Sequence, residues 1–507
     1  MKLGRIMKGI KYEIVQHGDE ESIESLAIDS RKVEEGCLFI CLRGLTVDGH
    51  RFIDDAFRQG AVAVLVDSGP VDSGLIDSGL VNSEPGKAYP PGLNVLKVED
   101  TRLSLAAIAA NFYGSPASSL RLFGVTGTNG KTSVTYMMDA ILRQVGKSGI
   151  IGTVGLSLGG KVIDIPFTTS TTPDPQELQQ IFGHIVENGG QDVVMEVSSH
   201  ALALHKMEGL FFEVAMFTNL TQDHLDFHGT MENYLAAKAK LFGQCRYGVV
   251  NADDKYSSQI MTIGNPEKWI TYGIDSDCDI RAVHIEDRAG GSAFDVEIDG
   301  ELMVDGVMEN FFLPVKGRFN IYNALAAIGA ALTVGISIED IRTGLLSFEG
   351  VPGRIQSVPN DKGLSVFVDY AHSPDGLVNI INAVRAFTEG RVITVFGCGG
   401  DRDKEKRPIM GRIAGELSDH CIITSDNPRS EPPEIIISQA EEGVKDTSCP
   451  YDAITDRRDA IFQGIAMLEA DDALIIAGKG HENYQEINGQ TLPFDDVEVA
   501  KEALCQT

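Results

Sequence analysis

The chain of 507 residues contains no Cys-x-x-Cys pair, and its eight cysteines, at 37, 41, 245, 278, 398, 421, 449 and 505, form no disulfide-like framework. That sets aside a small stapled scaffold and fits a reducing cytoplasm. Cations are scarce: 43 Lys and Arg stand against 73 Asp and Glu, a formal net charge of −30. A general basic face for nucleic acid is therefore missing. A local basic pocket for an anionic substrate is not excluded, and the acidity itself reads as solubility. No secretory signal and no long apolar run occurs, since Met1-Lys-Leu-Gly-Arg-Ile-Met-Lys gives way at once to polar sequence. A cytoplasmic protein without membrane insertion is expected. What remains is ordinary: 43% hydrophobic and 23% charged residues, in a chain too long for one core and suited to roughly three domains.

Gly124-Val-Thr-Gly-Thr-Asn-Gly-Lys131-Thr132 is the strongest local signal. Leu120–Val125 reads as a buried strand, and the residues from Ser133 carry helical apolar spacing. A glycine-rich turn between them would aim backbone N–H groups and a helix N-terminus at phosphates. Lys131 would reach the outer phosphates of ATP and Thr132 would hold magnesium, with Gly127, Thr128, Asn129, Gly130 and Ser133 completing the cradle. The strict motif wants glycine where Val125 stands. No guanine-specifying Asn-Lys-x-Asp stretch is present, which sets aside a GTPase switch.

Strand-like runs alternate with helical patterns, as in a parallel α/β architecture. The expected division is 1–100, 101–349 and 350–507. The Asp-Ser-Gly repeat within 67–92 reads as a mobile surface insertion without a catalytic role. In the last third, strands are expected at Ser365–Asp369, Arg391–Phe396, Cys421–Thr424 and Ala473–Ala477. Polar clusters follow each: Tyr370-Ala-His-Ser-Pro, Gly397-Cys-Gly-Gly-Asp-Arg, Ser425-Asp-Asn-Pro-Arg and Gly478-Lys-Gly-His-Glu. Ligands of open α/β sheets bind beyond the carboxyl ends of strands.

Glu196, after the run Asp192–Met195, is placed either to complete magnesium coordination opposite Thr132 or to cap a helix. His224 and His228 lack the adjacent glutamate of a zinc helix, so that reading is weak. Lys238, on an amphipathic helix, reads by pattern alone as a solvated lysine.

Taken in order, Gly-x-Thr-Gly-Thr-Asn-Gly-Lys-Thr, Glu196-Val-Ser-Ser-His, Thr218-Asn-Leu…Asp-His-Leu-Asp, Gly317-Arg-Phe-Asn320, Pro352-Gly-Arg354, Asp369-Tyr-Ala-His372 and Gly478-Lys-Gly-His-Glu482 resemble the Mur ligases of bacterial peptidoglycan synthesis. The resemblance spans nearly the whole chain, the repeat excepted. It implies three domains: a nucleotide-substrate domain, a central phosphate-loop ATPase domain and a C-terminal Rossmann-like domain. It implies an ATP-dependent, magnesium-requiring monomer that forms an amide through an acyl phosphate. By the same resemblance Lys238 carries a CO2-derived carbamate and shares a second magnesium with Glu196 and His224. Asn320, Arg354, Asp369 and His372 face ATP. Ser30 and Thr46 hold the uridine nucleotide, and Ser170, Thr171, Thr172, Ser198 and Lys206 the muramoyl-dipeptide. Two positions depart from a common pattern: Leu204 stands where glutamine occurs, and Lys206 where arginine does, giving a point charge without the bidentate fork.

Ser425-Asp426-Asn427-Pro428-Arg429 resembles the signature of members that add meso-diaminopimelate to a UDP-N-acetylmuramoyl-dipeptide. Diaminopimelate differs from lysine by a carboxylate beside its distal ammonium, so a planar cation and an acid should lie together. Arg429 offers the fork, and Asp426 and Glu482 accept from an ammonium; Arg402 and Gly478 match the remaining contacts. Alternatives are the same reaction with lysine, or a folylpolyglutamate synthetase, which would not need the Ser30/Thr46 domain.

Overall fold

The continuous apolar runs form the central strands of three sheets, because strands covered on both faces have no polar side to show. The structure is a computed structural model describing residues 1–19, 22–44, 47–67, 89–169, 171–288, 290–299 and 307–506. Thr46, Ser170 and residues 68–88 of the repeat lie outside these residues. The chain packs into two compact units: Met1–Asn129 with Leu142–Val250 and Asp254–Ile270, and Gly130–Ile141 with Asn251–Asp253 and Thr271–Thr507.

The first unit contains a five-stranded sheet in the order Glu13–Gln16, Asn94–Val98, Ala61–Asp67, Cys37–Ile40, Ser25–Ala27, parallel except for the first strand. It also contains the parallel run Cys245–Asn251, Phe212–Phe217, Arg121–Thr126, Asp192–Glu196, Ser148–Gly152, extended by antiparallel Gly155–Leu158 and Lys161–Ile163. Helix Pro175–Glu187 shows why the helices form where they do. Asp174 and Glu177 make a capping box, proline occupies the first turn, and Leu178, Ile181, Phe182 and Ile185 are buried on one face. Each such side chain contributes about 1.5–3 kcal/mol on burial, far more than propensity supplies.

The second unit contains the antiparallel strands Ile280–Arg288, Gly291–Ile298 and Val307–Leu313. Its six-stranded sheet runs Gln356–Ser357, Ser365–Asp369, Ala473–Ala477, Val392–Cys398, His420–Ser425, Tyr451–Ile454, with only the first strand antiparallel. The strands expected from sequence are its centre, so the four polar clusters emerge side by side at one edge. A separate hairpin, Tyr484–Ile487 with Gln490–Pro493, follows. Among the described residues no helix is long and apolar enough to cross a membrane.

Candidate functional site

The phosphate loop leaves Arg121–Thr126 through residues that only glycine satisfies. Gly127 has φ +149°, and a Cβ there would lie 1.9 Å from Thr218 Oγ1. The segment after Phe212–Phe217 cradles the loop. Thr218 Oγ1 and Asn219 Nδ2 donate to Asn129 O at 2.6 and 3.1 Å, Asn129 N donates to Asn219 Oδ1 at 2.9 Å, and Thr128 N donates to Asn219 O at 2.8 Å. The helix Lys131–Leu142 begins at Lys131, two residues before the sequence-based start. Within the second unit, Gly130 (φ +85°) comes so close to helix Arg318–Thr333 that a Cβ would meet Asn323 Oδ1 at 2.4 Å. Asn320 is buried one turn earlier and its amide donates to Lys316 O at 2.8 Å.

Lys238 is not the solvated lysine that its pattern suggests. It is 1% exposed, its Nζ donates to Gly127 O at 2.7 Å, and it lies 4.5 Å from the Tyr234 ring centroid. Its partner is remote in sequence, which no helical periodicity can report. Glu196, at a strand end, is 1% exposed and accepts from Thr153 N and Oγ1 at 2.8 and 3.2 Å. Thr172 Oγ1 donates to Glu196 O at 2.9 Å and accepts from Ser198 N at 3.1 Å, while Thr171 Oγ1 reaches Thr153 Oγ1 at 3.1 Å. Glu196, Thr171, Thr172 and Ser198 thus form one cluster. Ser198 also caps helix Ser199–Ala203. Lys206 stands against Asp174 Oδ1 at 2.8 Å, so its charge already has a protein counter-ion. Ser30 opens a short 3-10 turn capped by Asp29.

His224 adopts left-handed φ 55° and lies 3.4 Å from Asp223. His228 is buried with Nε2 2.9 Å from Ser199 Oγ. The His200 ring lies 4.8 Å from that of His224 and 5.5 Å from that of His228. Among the described residues, no three His, Cys, Asp or Glu side chains converge as a metal site. The hard oxygen of Glu196 suits magnesium, and a carbamate on Lys238 would turn that side chain from a cation into a further oxygen donor. A carbamate keeps one N–H, so the bond from Nζ to Gly127 O is compatible with it.

The edge of the six-stranded sheet gathers the remaining expected residues. Asp369 accepts from Ile355 N and Ala371 N, each at 2.8 Å. Burial raises its pKa, opposed by Arg354 and those two N–H groups. The Arg354 guanidinium carbon lies 5.2 Å from the Tyr370 ring, and its buried Nε has no hydrogen-bond partner among the described residues. His372 Nδ1 lies 2.8 Å from Tyr370 O, and burial lowers its pKa.

Beside them is an acid–base cluster. Asp426 and Asn427 are buried, and Gly478 (φ +123°) leaves room next to Asp426 Oδ2, which a Cβ would approach to 3.3 Å. Glu482 accepts from Asn427 Nδ2 at 2.9 Å. A fully buried cation, Lys479, lies 3.0 Å from Asn427 Oδ1, 3.2 Å from Glu482 and 3.4 Å from Asp426. Arg429, at φ 54°, donates from Nη1 to Gly400 O at 2.8 Å, and its Nε pairs with Glu486 at 3.0 Å. Its Nη2 donates to none of the described residues. The exposed Arg402 flanks the same place: a Cβ on Gly399 would lie 3.1 Å from Arg429 Nη1 and 3.7 Å from Arg402 Cγ. Pro428 closes the turn, its carbonyl 1.9 Å from where a Cβ of Gly400 would stand.

Two residues here escape sequence reasoning. Lys479 belongs to a stretch singled out for its neighbours, but its partners at 426 and 427 are distant in sequence. Glu486 sits on the hairpin, whose Asn488-Gly489 turn is a strong short-range signal that would have revealed it. Arg429 N donates to Glu486 O at 3.0 Å and Asn488 N to Arg429 O at 2.7 Å. Glu486 N and Gln485 Nε2 donate to Asn427 Oδ1 and Asp426 O at 3.0 and 2.7 Å. The hairpin is therefore the seat of the 426–429 turn.

Comparison with known proteins gives a consistent result. Residues 22–113 match the Mur ligase family catalytic domain, 125–331 the Mur ligase middle domain, and 353–480 the Mur ligase glutamate ligase domain. The chain is 45% identical over 509 residues to UDP-N-acetylmuramoyl-L-alanyl-D-glutamate–2,6-diaminopimelate ligase of Caldanaerobacter subterraneus subsp. tengcongensis, covering 100% of both. It is 43% identical over 505 residues to the ligase 1 of the same name in Clostridium acetobutylicum, covering 99% of each. A solved structure of a ligase of that name aligns with TM-score 0.66 and 30% identity, over 100% of this chain and 99% of that one.

Proposed function

The chain belongs to the Mur ligase family, and on that premise we propose that it is an ATP-dependent ligase joining meso-diaminopimelate to the D-glutamate of UDP-N-acetylmuramoyl-L-alanyl-D-glutamate. The observation that carries the amino-acid assignment is the cluster at the sheet edge. Buried Asp426 and half-buried Glu482 share one ammonium, Lys479, so the group retains net negative charge for a substrate ammonium. The uncommitted Nη2 of Arg429 and the neighbouring Arg402 supply the complement for the carboxylate that lysine lacks. The full-length similarity to ligases named for this amino acid supports the same reading.

In the reaction, the D-glutamyl carboxylate attacks the γ-phosphate of ATP, giving an acyl phosphate and ADP. The neutral amine of diaminopimelate then displaces phosphate. Two anions must meet in the first step, so charge neutralisation is the main catalytic requirement. Lys131 is assigned to the outer phosphates, and the N–H groups of residues 127–133 to the phosphate oxygens. Asn320, Arg354, Asp369 and His372 are assigned to the rest of the nucleotide. Thr132, Glu196, His224 and carbamylated Lys238 are assigned to magnesium, which when bound would screen the phosphoryl charge. Ser30, Thr46, Ser170, Thr171, Thr172, Ser198 and Lys206 are assigned to the UDP-muramoyl-dipeptide, with residues 1–100, 101–349 and 350–507 as substrate, ATP and amino-acid domains. No protein nucleophile is required, and the enzyme would work as a cytoplasmic monomer.

The test is phosphate release from ATP by the purified chain with magnesium and the UDP-dipeptide, comparing meso-diaminopimelate with L-lysine. Turnover with neither overturns the ligase reading, and preference for lysine overturns the amino-acid assignment.

A further inference from the structure

Away from these clusters, two thiols lie together in the C-terminal sheet. Cys421 Sγ, on strand His420–Ser425, is 3.8 Å from Cys449 Sγ, just before strand Tyr451–Ile454. The two strands pair in parallel with Cys421 opposite Tyr451, and Cys421 N donates to Pro450 O at 3.1 Å. The backbone itself therefore keeps the sulfurs adjacent. Their surroundings differ: Cys421 is fully buried, whereas Cys449 is part-exposed. Forming a bond of about 2 Å asks the sulfurs to close by about half of their 3.8 Å separation, and Cys449 lies just before its strand rather than in the ladder.

We propose that Cys449 and Cys421 form a thiol–disulfide exchange site for a small external disulfide, with Cys449 as the attacking sulfur and Cys421 as the resolving one. Accessibility sets the order, since only Cys449 meets solvent. The hydrogen shared between the sulfurs points the same way: it lowers the pKa of Cys449, while that bond and burial raise the pKa of Cys421. In the first step the Cys449 thiolate attacks one sulfur of the external disulfide. That S–S bond breaks, and the departing thiolate takes a proton from water. In the second, Cys421 gives its proton to water and attacks the Cys449 sulfur, expelling the other external thiol. Two protein thiols are oxidised to one disulfide, and one external disulfide is reduced to two thiols. The linked strand is the one that runs directly into the Asp426–Arg429 turn.

The test uses the full-length protein in glutathione buffers of increasing oxidised fraction, quenched by alkylation and mapped by peptide mass spectrometry. Cys505, exposed and solitary, is the internal control and should carry glutathione as a mixed disulfide. The expected wild-type product is a Cys421–Cys449 cross-linked peptide. In Cys421→Ser the same buffer should leave glutathione on Cys449; in Cys449→Ser, Cys421 should stay reduced. A wild-type protein whose Cys505 is fully modified while no 421–449 cross-link forms overturns the proposal. So does Cys421→Ser with Cys449 unmodified, which would remove its role as the attacking sulfur.

Discussion

Replacing Arg429 by alanine isolates the feature that separates diaminopimelate from lysine. The backbone should survive, because Arg429 N and O remain bonded to Glu486 O and Asn488 N, and a left-handed φ of 54° strains alanine no more than arginine. The lost Glu486 ion pair is part-exposed, 25% and 38% by side chain, and its stability contribution is below about 1 kcal/mol. The binding loss is larger. Nη2 is the donor that no described residue uses, and a hydrogen bond from a charged group contributes about 1.5–3 kcal/mol. Taking about 2 kcal/mol for this site, the KM for diaminopimelate should rise about 30-fold at 1.36 kcal/mol per tenfold. The KM for ATP should stay put, and discrimination against lysine should shrink by the same factor. Initial rates of phosphate release, with each substrate varied in turn, measure all three. A diaminopimelate KM within about threefold of wild type, or a shift in the ATP KM instead, would refute the assignment.

Lys238→Ala should lower kcat by about 100-fold or more, the scale expected when a fixed electrostatic group is lost, and acetate or formate should restore part of the rate; an unchanged kcat would remove Lys238 from the reaction. Gly127→Ala forces a Cβ to within 1.9 Å of Thr218 Oγ1, so ATP binding, followed by calorimetry, should weaken while diaminopimelate binding holds. Arg457 and Asp496, both 0% exposed and joined at 2.8 and 2.6 Å, make a buried pair: Arg457→Met should cost about 3–5 kcal/mol in urea unfolding, and adding Asp496→Leu should recover most of it. Arg407, and then the Asp401 N–H, hold the Glu431 carboxyl down from 4.5 to about 2. Because the folded value is depressed, this stabilisation is present above pH 4.5 and is lost as pH falls toward about 2, so Glu431→Gln should flatten the stability profile in that window.

The strands of the C-terminal sheet were legible because Ala473–Ala477 and its neighbours are continuous apolar runs, and the polar clusters were legible because each interrupts such a run. The parallel pairing of those strands then places 369–372, 399–402, 426–429 and 478–482 along one edge. Lys238, Lys479 and Glu486 were not legible in the same way. The role of such a charge is defined by its counter-group, and the partners here, Gly127, Asp426 with Asn427, and Arg429, come from distant segments. Lys206 teaches the same point in reverse: its cationic character was evident, but its pairing with Asp174 depends on where helix Pro175–Glu187 is capped.

Seating Arg429 on the hairpin has an evolutionary corollary. The turn at 426–429 and the strands at 484–493 behave as one cassette written in two separate stretches of sequence. Grafting the tetrapeptide alone into a related ligase would import the arginine without the backbone that holds it. Exchange of amino-acid preference between such enzymes should therefore require both stretches to move together, and recombination breakpoints between them should be selected against.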